Sequence, residues 1–431
     1  MTSDALIRPD QVYVWIWLPG ATDPVPCGAL RTVSGRADFA YGRRYLERDR
    51  AISIYEDLPL RAGAQQPRVG ELASSLRDAL PDRWGRRVLL HELTGRTGRD
   101  LVEDGFDESA LMIASGSDRI GALDFQSSPD TYVPRRGGEA TLEELQQFAD
   151  LVANGKPVPK ALDRVILHGS SIGGARPKAL LDDPAGNRKL IAKFSATGDL
   201  ISMVKAEFLA MRLAQLIGLS VAPVALEKVA GRDVILIERF DRKPVPDGQT
   251  VAFARSAMVS ALTVCGETEL SAHHIAYTEI AERLRKSSRN VAADLHELFR
   301  RMVFNVLVGN TDDHARNHAM FWDGHFLDLT PGYDIAPQPR GGREANQALN
   351  IFPGDRRARL ATCLRAAPEF LLDATAARAE IDRLIDLSAT HWSEACDAAD
   401  LPIAERRFFA GRQFFNAYAF EDYAATPLLE G

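Results

Sequence analysis

Short apolar runs alternate with turn residues over the first part of the chain. Between Val12 and about Glu56, the runs VYVWIWLPG, ADFAYG and AISIYE are rich in β-branched and aromatic side chains, and Gly, Pro and Asp interrupt them. This alternation is typical of β-strands joined by turns. It predicts an antiparallel sheet at the start of the chain.

Apolar residues at helical spacing follow the predicted sheet. In LPDRWGRRVLLHEL, Trp84 and Val88 share one face with His91 or Glu92, which predicts a helix. The next apolar run, RIGALDFQ, predicts a strand. The polar segment SSPDTYVPRRGGEA then predicts a linker.

Strand and helix patterns are mixed in the middle of the chain. Thr141 and Glu144 form the pattern of a capping box, which predicts that the helix TLEELQQFADLVANG begins there. Up to Phe240, KLIAKFS, VAPVALEKV and GRDVILIERF predict strands, and VKAEFLAMRLAQLIGL predicts a helix that ends at Gly218. After Phe240 the pattern is mostly helical. We expect a cleft between a sheet-bearing half and a helical half, a common place for a ligand.

Charge and cysteine spacing narrow the class of protein. The chain of 431 residues is long enough for two or three domains, and its formal net charge of −7 argues against tight, unaided binding to nucleic acid, although a local basic face remains possible. The cysteines are scattered without a CxxC pair, which argues against a zinc ribbon or a disulfide scaffold. The stretch MTSDALIRPDQ lacks the features of a signal peptide, and no apolar run is long enough to span a bilayer. We therefore expect a cytoplasmic protein with no membrane partner.

A dense polar cluster, LVGNTDDHARNHAM, follows an apolar helical run that Gly309 can end. The spacing places this cluster at the end of a buried helix. Within it, Asp312 and Asn317 are separated by four residues, the same interval as in the DxxxxN catalytic loop of protein kinases. Asp312 could accept the proton of an attacking hydroxyl group, and Asn317 could offer an oxygen ligand to Mg²⁺.

A second candidate segment, HGSSIGGARPKALLDD, contains closely spaced glycines before Lys178. Gly173 and Gly174 would allow backbone amides to approach phosphate groups. The segment is not a Walker A loop, because Ala175 stands where that pattern requires Lys, and it does not fit GxGxxG. A flexible loop or hairpin loop in a strand-rich region is the alternative interpretation.

The order of the polar residues along the chain favours a kinase-like phosphotransferase. Lys193 lies in the strand-like LIAKF and could neutralise phosphate charge, unless it is a residue at the edge of a sheet. Glu207 in the next helix could pair with Lys193, although a solvated glutamate would look the same. Asp334 follows the strand-like FLDL and could be a second oxygen ligand of Mg²⁺, together with Asn317.

Two histidines offer a rival interpretation of the polar cluster. His314 and His318 are four residues apart, as metal ligands on a helix can be. The glutamate of an HExxH motif is absent, and the pair lies near a helix end, so this transition-metal site is the weaker hypothesis. We expect His314 to make hydrogen bonds that shape the loop.

Several segments together resemble a known family. SSIGGARPK, IAKF, IERFDR, GNTDDHARNH and YDIAP are similar to successive signatures of the HipA-type serine/threonine kinases, the toxin halves of bacterial toxin–antitoxin pairs. LPDRWGRRVL and DRIGAL resemble the N-terminal region of that family. The similarity extends to at least Pro337, and its order and spacing are more specific than any single motif.

The resemblance implies an activity, cofactors and partners. HipA-type kinases use ATP and magnesium, and the best-known member phosphorylates an aminoacyl-tRNA synthetase, which slows translation. A small helix-turn-helix antitoxin of the HipB type silences them and joins them to operator DNA. Matched by position, Ser171 is the autophosphorylated loop serine, Lys193 the ATP lysine, and Glu238 with Phe240 the hinge segment beside adenine.

We therefore predict an α/β, two-lobed protein-kinase-like fold with an N-terminal β-rich subdomain and a helical C-terminal lobe. The expected boundaries are 1–138 for the β-rich subdomain, 139–240 for the N lobe with the glycine-bearing loop, and 241–431 for the C lobe with the catalytic loop. Alternatives are a catalytically weak co-repressor that acts with an antitoxin on DNA, and a kinase of small molecules. The predicted site consists of Asp312 as catalytic residue, Asn317 and Asp334 as metal ligands, and Ser171, Gly173, Gly174, Lys178, Lys193, Glu207, Glu238 and Phe240 at ATP.

Overall fold

An antiparallel sheet forms from the apolar runs at the start of the chain and one later strand, in a computed structural model of the protein. The strands are β1 (Val12–Ile16), β2 (Val25–Val33), β3 (Arg36–Tyr41) and β4 (Leu123–Gln126). Their spatial order is β3-β2-β1-β4, with antiparallel pairing throughout. This confirms the sheet expected at the start and the strand expected in RIGALDFQ. The run AISIYE, residues 51–56, forms no strand, so the prediction was wrong for that segment. The structure describes residues 9, 11–33, 35–94, 107–172, 174, 176–183, 185–195, 202–248, 250–340, 342–423, 427 and 429.

Helices lie along the chain between the strands of the first sheet and a second sheet. They are α1 (Arg43–Leu46), α2 (Ser74–Arg77), α3 (Arg83–Thr94), α4 (Glu108–Ala114), α5 (Leu142–Ala153) and α6 (Ile166–Ser170). At the start of α5, the Glu144 N–H donates to the Thr141 hydroxyl at 3.2 Å, and the Thr141 N–H donates to the Glu144 carboxylate at 3.1 Å. Both bonds of the predicted capping box are therefore present.

A second sheet carries the strand-like segments of the middle region. Its strands are β5 (Lys178–Asp182), β6 (Lys189–Phe194), β7 (Val224–Val229) and β8 (Arg232–Glu238), in the order β5-β6-β8-β7. Apolar residues of this sheet, including Ala192, Phe194 and Val234, pack in one core with Trp84 and Phe148. The α3 and α5 helices thus cover the sheet because their apolar faces complete its core.

A hairpin follows β8, where the sequence had suggested mostly helix. Strands β9 (Arg242–Asp247) and β10 (Thr250–Arg255) pair with each other and form a separate two-stranded sheet among the described residues. Pro244 and Pro246 lie within β9, and prolines are tolerated in such edge strands. The Asp247–Gly248 pair is a hairpin turn signal that our helical interpretation missed, so that prediction was wrong over this segment.

Oppositely charged side chains are buried together where β8 ends and β9 begins. The Asp241 carboxylate accepts bonds from Arg239 and Arg242, both at 2.8 Å, and from the Gly121 N–H at 2.7 Å. The same two arginines reach Asp118 at 3.0 and 2.9 Å. This buried charged cluster, formed by Asp118, Arg239, Asp241 and Arg242, ties residues 118–121 to residues 239–242.

The remaining elements are mainly helical. They are α7 (Met203–Leu216), β11 (Met258–Ser260), α8 (Ala261–Cys265), α9 (Tyr277–Ser287), α10 (Val291–Val308), β12 (Ala319–Trp322), β13 (Leu327–Leu329), α11 (Leu360–Ala366), α12 (Ala374–Thr390), α13 (Trp392–Ala398), α14 (Ile403–Phe409) and α15 (Ala417–Phe420). Across the residues that the structure describes, no helix is long and apolar enough to cross a membrane.

The chain divides into two structural units. The first contains residues 1–200 and 227–259, and the second contains residues 201–226 and 260–431. The first unit holds the two four-stranded sheets apart from the start of β7, and the second holds most of the helices. The sequence-based boundaries at residues 138 and 240 stay predictions.

Candidate active site

The polar cluster begins where α10 ends in the second unit. Gly309 stops the helix in a left-handed conformation with φ of 69°. A side chain could not replace its hydrogen atom, because a Cβ there would lie 2.5 Å from the backbone oxygen of Gln413. The predicted position of the cluster at the end of a buried helix is thus confirmed.

Residues 413–415 make hydrogen bonds to the end of α10 and to a nearby segment. The Phe415 N–H donates to the Leu307 carbonyl at 2.8 Å, and the Gln413 side-chain amide donates to the Pro337 carbonyl at 3.1 Å. We call residues 413–415 the brace. The brace contacts both the start of the catalytic loop and the segment that follows Asp334.

A buried hydrogen-bond network lies beneath residues 310–318, the predicted catalytic loop, which we call the catalytic loop below. The Asp313 carboxylate accepts from the Tyr277 hydroxyl and faces His318 Nε2 at 2.9 Å. The Asn305 side-chain amide donates to the Tyr277 oxygen at 3.1 Å, and Asn310 donates to Asn305 at 3.0 Å. Burial and the neighbouring Asp313 raise the pKa of Tyr277 well above its ordinary value, so its hydroxyl stays a donor.

The two adjacent aspartates therefore have different environments. The Asp313 side chain is buried in the network, whereas Asp312 is exposed. The backbone around them is held in place, because the Thr311 and Asp313 carbonyls accept from the Ala348 and Leu349 N–H groups at 3.0 and 3.1 Å. A fixed, exposed carboxylate is what a catalytic base requires.

Asn317 lies directly against Asp312 in the same loop. Its side-chain nitrogen donates to the Asp312 carbonyl at 3.3 Å, and the residue is 7% exposed. Because this bond uses the amide nitrogen, the amide oxygen is the atom that could bind a metal. A hard oxygen donor of this kind suits Mg²⁺.

Asp334 is held beside this loop in an uncommon backbone conformation. Its φ is 58°, in the left-handed region that aspartate tolerates better than most residues. The preceding Tyr333 donates its hydroxyl to the Arg316 carbonyl at 2.7 Å, and the Gln338 N–H donates to the Gly309 carbonyl at 3.0 Å. The segment of Asp334 is thus bound to the catalytic loop on both sides, and the role of its carboxylate as a ligand of Mg²⁺ stays a prediction.

The histidine pair does not have the arrangement of a shared metal site. His318 is buried and bonded to Asp313, whereas the His314 side chain is exposed. Within the described ranges, no three His, Cys, Asp or Glu side chains are grouped so that they could hold a metal ion. The His314 carbonyl accepts from the Asn317 N–H at 2.8 Å, and the expectation that His314 shapes the loop stays a prediction.

Two lysines lie directly opposite each other in the first unit. Lys178 in β5 pairs with Lys193 in β6, and each is only 7% exposed. Gly174 has a φ of 104°, a conformation that favours glycine, and the Lys178 ammonium nitrogen lies 1.8 Å from where a Cβ on Gly174 would be. Residues at opposite positions of an antiparallel pair lie on the same face of the sheet, so the two lysine side chains share one face.

The serines of the glycine-bearing loop are buried. Ser171 is 3% exposed and donates its hydroxyl to the Asp118 carbonyl at 3.2 Å. The Ser170 hydroxyl accepts from the Gly116 N–H at 3.0 Å. Gly173 lies outside the described residues. Both hydroxyl groups are therefore held by residues 116–118 in this conformation.

The other predicted ATP residues are distributed over both units. Glu238 ends β8 and lies 3.7 Å from the Arg188 guanidinium, and Phe240 is half-buried. Glu207 is buried on α7 in the second unit, whereas Lys193 belongs to the first. The pairing of Lys193 with Glu207 and the contact of Glu238 with adenine stay predictions.

Family models match two parts of the chain. A HipA N-terminal domain matches residues 18–126, and a HipA-like C-terminal domain matches residues 170–392, more than half of the chain. The chain belongs to the HipA family. The N-terminal match includes the loop that holds the serines, and the C-terminal match includes the glycine-bearing loop and the catalytic loop.

Relatives of this HipA-family chain carry kinase names. The "Putative kinase Y4mE" of Sinorhizobium fredii is 29% identical over 319 residues, which cover 70% of this chain and 72% of that protein. The "Serine/threonine-protein kinase toxin HipA" of Shewanella oneidensis is 25% identical over 295 residues, which cover 62% of this chain and 63% of that protein. The chain thus spans slightly less than two thirds of the length of that toxin.

A solved structure confirms the fold. HipA of Shewanella oneidensis, in a complex with HipB and its operator DNA, superimposes with a TM-score of 0.68 at 19% identity, over 92% of this chain and 93% of that chain. The predicted α/β, kinase-like fold class, with sheets in the N-terminal part and helices in the C-terminal part, is therefore confirmed.

Sequence reasoning missed several residues that this HipA-family site depends on. Asp313, Tyr277 and Asn305 shape the catalytic loop, and Arg239 with Asp241 ties down the segment around Phe240. Asn305 was detectable, because it is a polar residue on the buried face of an apolar helix. Asp313, Arg239 and Asp241 lie within the quoted segments GNTDDHARNH and IERFDR, but their contacts with Tyr277 and with residues 118–121 are distant in sequence and gave no local signal.

Proposed function

We propose that this chain is an ATP- and Mg²⁺-dependent serine/threonine protein kinase that acts as the toxin of a HipA/HipB-type pair. The observation that carries the proposal is the contrast between exposed Asp312 and buried Asp313, with Asn317 bonded to the Asp312 backbone. An exposed carboxylate on a backbone that hydrogen bonds hold in place suits a catalytic base. Two relatives named as kinases support a kinase activity.

Each residue has a physical role in the proposed reaction. Asp312 orients the acceptor hydroxyl group and accepts its proton as the γ-phosphoryl group of ATP is transferred. Lys178 and Lys193, which lie opposite each other on neighbouring strands, would bring positive charge to the phosphates. Asn317 and Asp334 would hold Mg²⁺, which neutralises phosphate charge when it is bound.

The partners follow from the family. The Shewanella oneidensis neighbour was solved with HipB and operator DNA. We propose that this chain likewise binds a HipB-like helix-turn-helix antitoxin and reaches DNA through it, since a net charge of −7 disfavours unaided DNA binding. An aminoacyl-tRNA synthetase is the proposed protein substrate.

Transfer of labelled phosphate tests this function. Incubation with γ-labelled ATP, Mg²⁺ and a panel of purified aminoacyl-tRNA synthetases should label one synthetase and the chain itself, with the self-label on Ser171. A phosphate at Ser171 adds about −1.5 to −2 charges at a buried position. The modified loop should therefore lose its contact with residues 116–118, and the affinity for ATP should fall.

Mass spectrometry of Ser170→Ala and Ser171→Ala variants is the control. Self-labelling should survive the first substitution and disappear with the second. Label on Ser170 alone, or normal ATP binding by the protein phosphorylated at Ser171, would contradict the proposed regulation. No labelling of any protein would favour a co-repressor, and labelling of small molecules only would favour a small-molecule kinase.

Metal binding should depend on Asp334 more than on Asp312. Asp334→Ala removes an oxygen ligand, so the affinity for Mg·ATP should fall by roughly tenfold or more, whereas Asp312→Asn should change it little. Calorimetric titration with ATP, with and without Mg²⁺, measures both effects. Asp323→Ala, at the turn between β12 and β13, is a matched control that should bind normally. Equal losses in the Asp334 and Asp312 variants would argue against separate roles.

A further inference from the structure

The start of helix α3 holds the glycine-bearing loop at three points. The Gly174 N–H donates to the Asp82 carboxylate, and the Gly174 carbonyl accepts from the Trp84 backbone N–H at 3.0 Å. The Trp84 ring nitrogen donates to the Lys178 carbonyl at 2.9 Å. Both polar atoms of Gly174 and the carbonyl of Lys178 are thus bound by two residues of the N-terminal region.

Asp82 stands at the position where a carboxylate commonly caps a helix. Its backbone carbonyl accepts from the Arg86 N–H at 2.8 Å, as at the first turn of α3. Its side chain, however, reaches across to the amide of Gly174. A hydrogen bond from an amide to an ionised carboxylate is stronger than one to a neutral acceptor, so this contact is well suited to fixing a loop.

The packing around Gly85 shows how closely the helix approaches the loop. A Cβ on Gly85 would lie 2.9 Å from the Ser170 carbonyl oxygen and 3.0 Å from that of Ile172. The backbone of α3 therefore packs against the loop backbone with no room for a side chain. This closeness allows Asp82 and Trp84 to reach Gly174.

The position of Gly174 in turn determines the position of a lysine. The Lys178 ammonium group packs against Gly174, at the place where a Cβ would be. A displacement of Gly174 would therefore let the Lys178 ammonium group move, and Lys193 is the residue opposite Lys178 on β6. The Asp82 carboxylate is thus linked to the pair of lysines through one glycine.

We propose that Asp82 is a positioning residue, whose carboxylate holds Gly174 so that Lys178 meets the phosphates of the nucleotide. The inference rests on the proposed ATP-dependent activity. It assigns to the N-terminal region a part in nucleotide binding, although Asp82 itself touches no nucleotide. The effect should therefore concern the phosphates and not the nucleoside.

Asp82→Ala and Asp82→Asn variants test the proposal by calorimetric titration. Asp82→Ala should weaken ATP binding by about tenfold, the value of one lost charge-assisted bond, and leave adenosine binding unchanged. Asp82→Asn keeps a carbonyl oxygen that can accept from Gly174, so it should recover most of the ATP affinity. In kinetics, the alanine variant should raise the KM for ATP and leave kcat at saturating ATP unchanged. Glu92→Ala, further along α3, is the control.

Amide hydrogen exchange in the nucleotide-free protein separates this inference from the proposed function. The amide of Gly174 should exchange faster in Asp82→Ala than in the wild-type protein or in Asp82→Asn. If exchange is faster in Asp82→Ala but the wild-type protein binds no ATP, the proposed function and the nucleotide role of Asp82 are both wrong. The hydrogen bond between Asp82 and Gly174 would still be supported by that result. Unchanged ATP affinity in the alanine variant, or an equal loss of ATP and adenosine binding, would overturn the inference.

Discussion

Replacement of Asp312 by asparagine should abolish most phosphoryl transfer while the protein stays folded. The expected loss is roughly 10²–10⁴-fold, or about 3–5 kcal/mol of barrier, because the amide cannot accept the proton of the acceptor hydroxyl group. The fold should survive because the Asp312 side chain is exposed and the buried network depends on Asp313. Single-turnover transfer from labelled ATP, with thermal unfolding of the same sample, measures both expectations.

Asp313→Asn is the matched control for that experiment, since it changes the neighbouring carboxylate in the same way. It should lower thermal stability, because the carboxylate accepts bonds from Tyr277 and His318 in the protein interior. Near-normal transfer by the Asp312 variant would remove this residue from the role of base. If the loss of transfer in Asp312→Asn is explained entirely by unfolding, the result gives no support to Asp312 as the base.

Replacement of Asp241 by alanine should destabilise the first unit by about 3–5 kcal/mol. The substitution leaves two buried guanidinium groups, Arg239 and Arg242, with Asp118 as the remaining carboxylate of the cluster, and removing one partner of a buried ion pair has a cost of this size. Chemical unfolding, followed by a probe in the first unit, measures the change. Asp247→Ala, at the exposed end of β9, should change stability by about 0.5 kcal/mol or less.

The same carboxylate predicts how stability depends on pH. Burial alone would raise the pKa of Asp241, but Arg239 and Arg242 hold it below its ordinary value of about 3.9. A lowered folded-state pKa contributes stability that is present above about pH 4 and is lost as the pH falls towards the folded pKa. The wild-type protein should therefore lose stability in acid more steeply than Asp241→Ala. Parallel pH profiles of the two proteins would contradict this assignment.

Local patterns were enough to predict several elements and part of the site. Apolar spacing indicated α3, α5, α7 and α10, and Gly309 marked the end of α10. The interval between Asp312 and Asn317 indicated a catalytic loop. These features depend on residues within one or two turns of each other, so the chemistry of neighbouring side chains determines them.

The division of roles between Asp312 and Asp313 could not be predicted in this way. Two adjacent aspartates are equivalent in sequence, and Asp313 is the buried one because Tyr277, 36 residues earlier, donates to it. The left-handed conformation of Asp334 likewise depends on contacts made by its neighbours with the catalytic loop. The buried charged cluster joins Gly121 to Asp241 across 120 residues, a separation that no local pattern covers.

The brace at residues 413–415 is synthesised later than the segments that it contacts. Gln413 is synthesised 76 residues after Pro337, whose carbonyl it binds, and at roughly 5–20 residues per second this delay is about 4–15 s. During that interval a nascent chain already contains Asp312, Asn317 and Asp334 but lacks the contacts that close the end of α10. A ribosome that makes this protein would thus finish most of the C-terminal unit before the catalytic loop could take its final form, and activity would begin only after the brace had emerged.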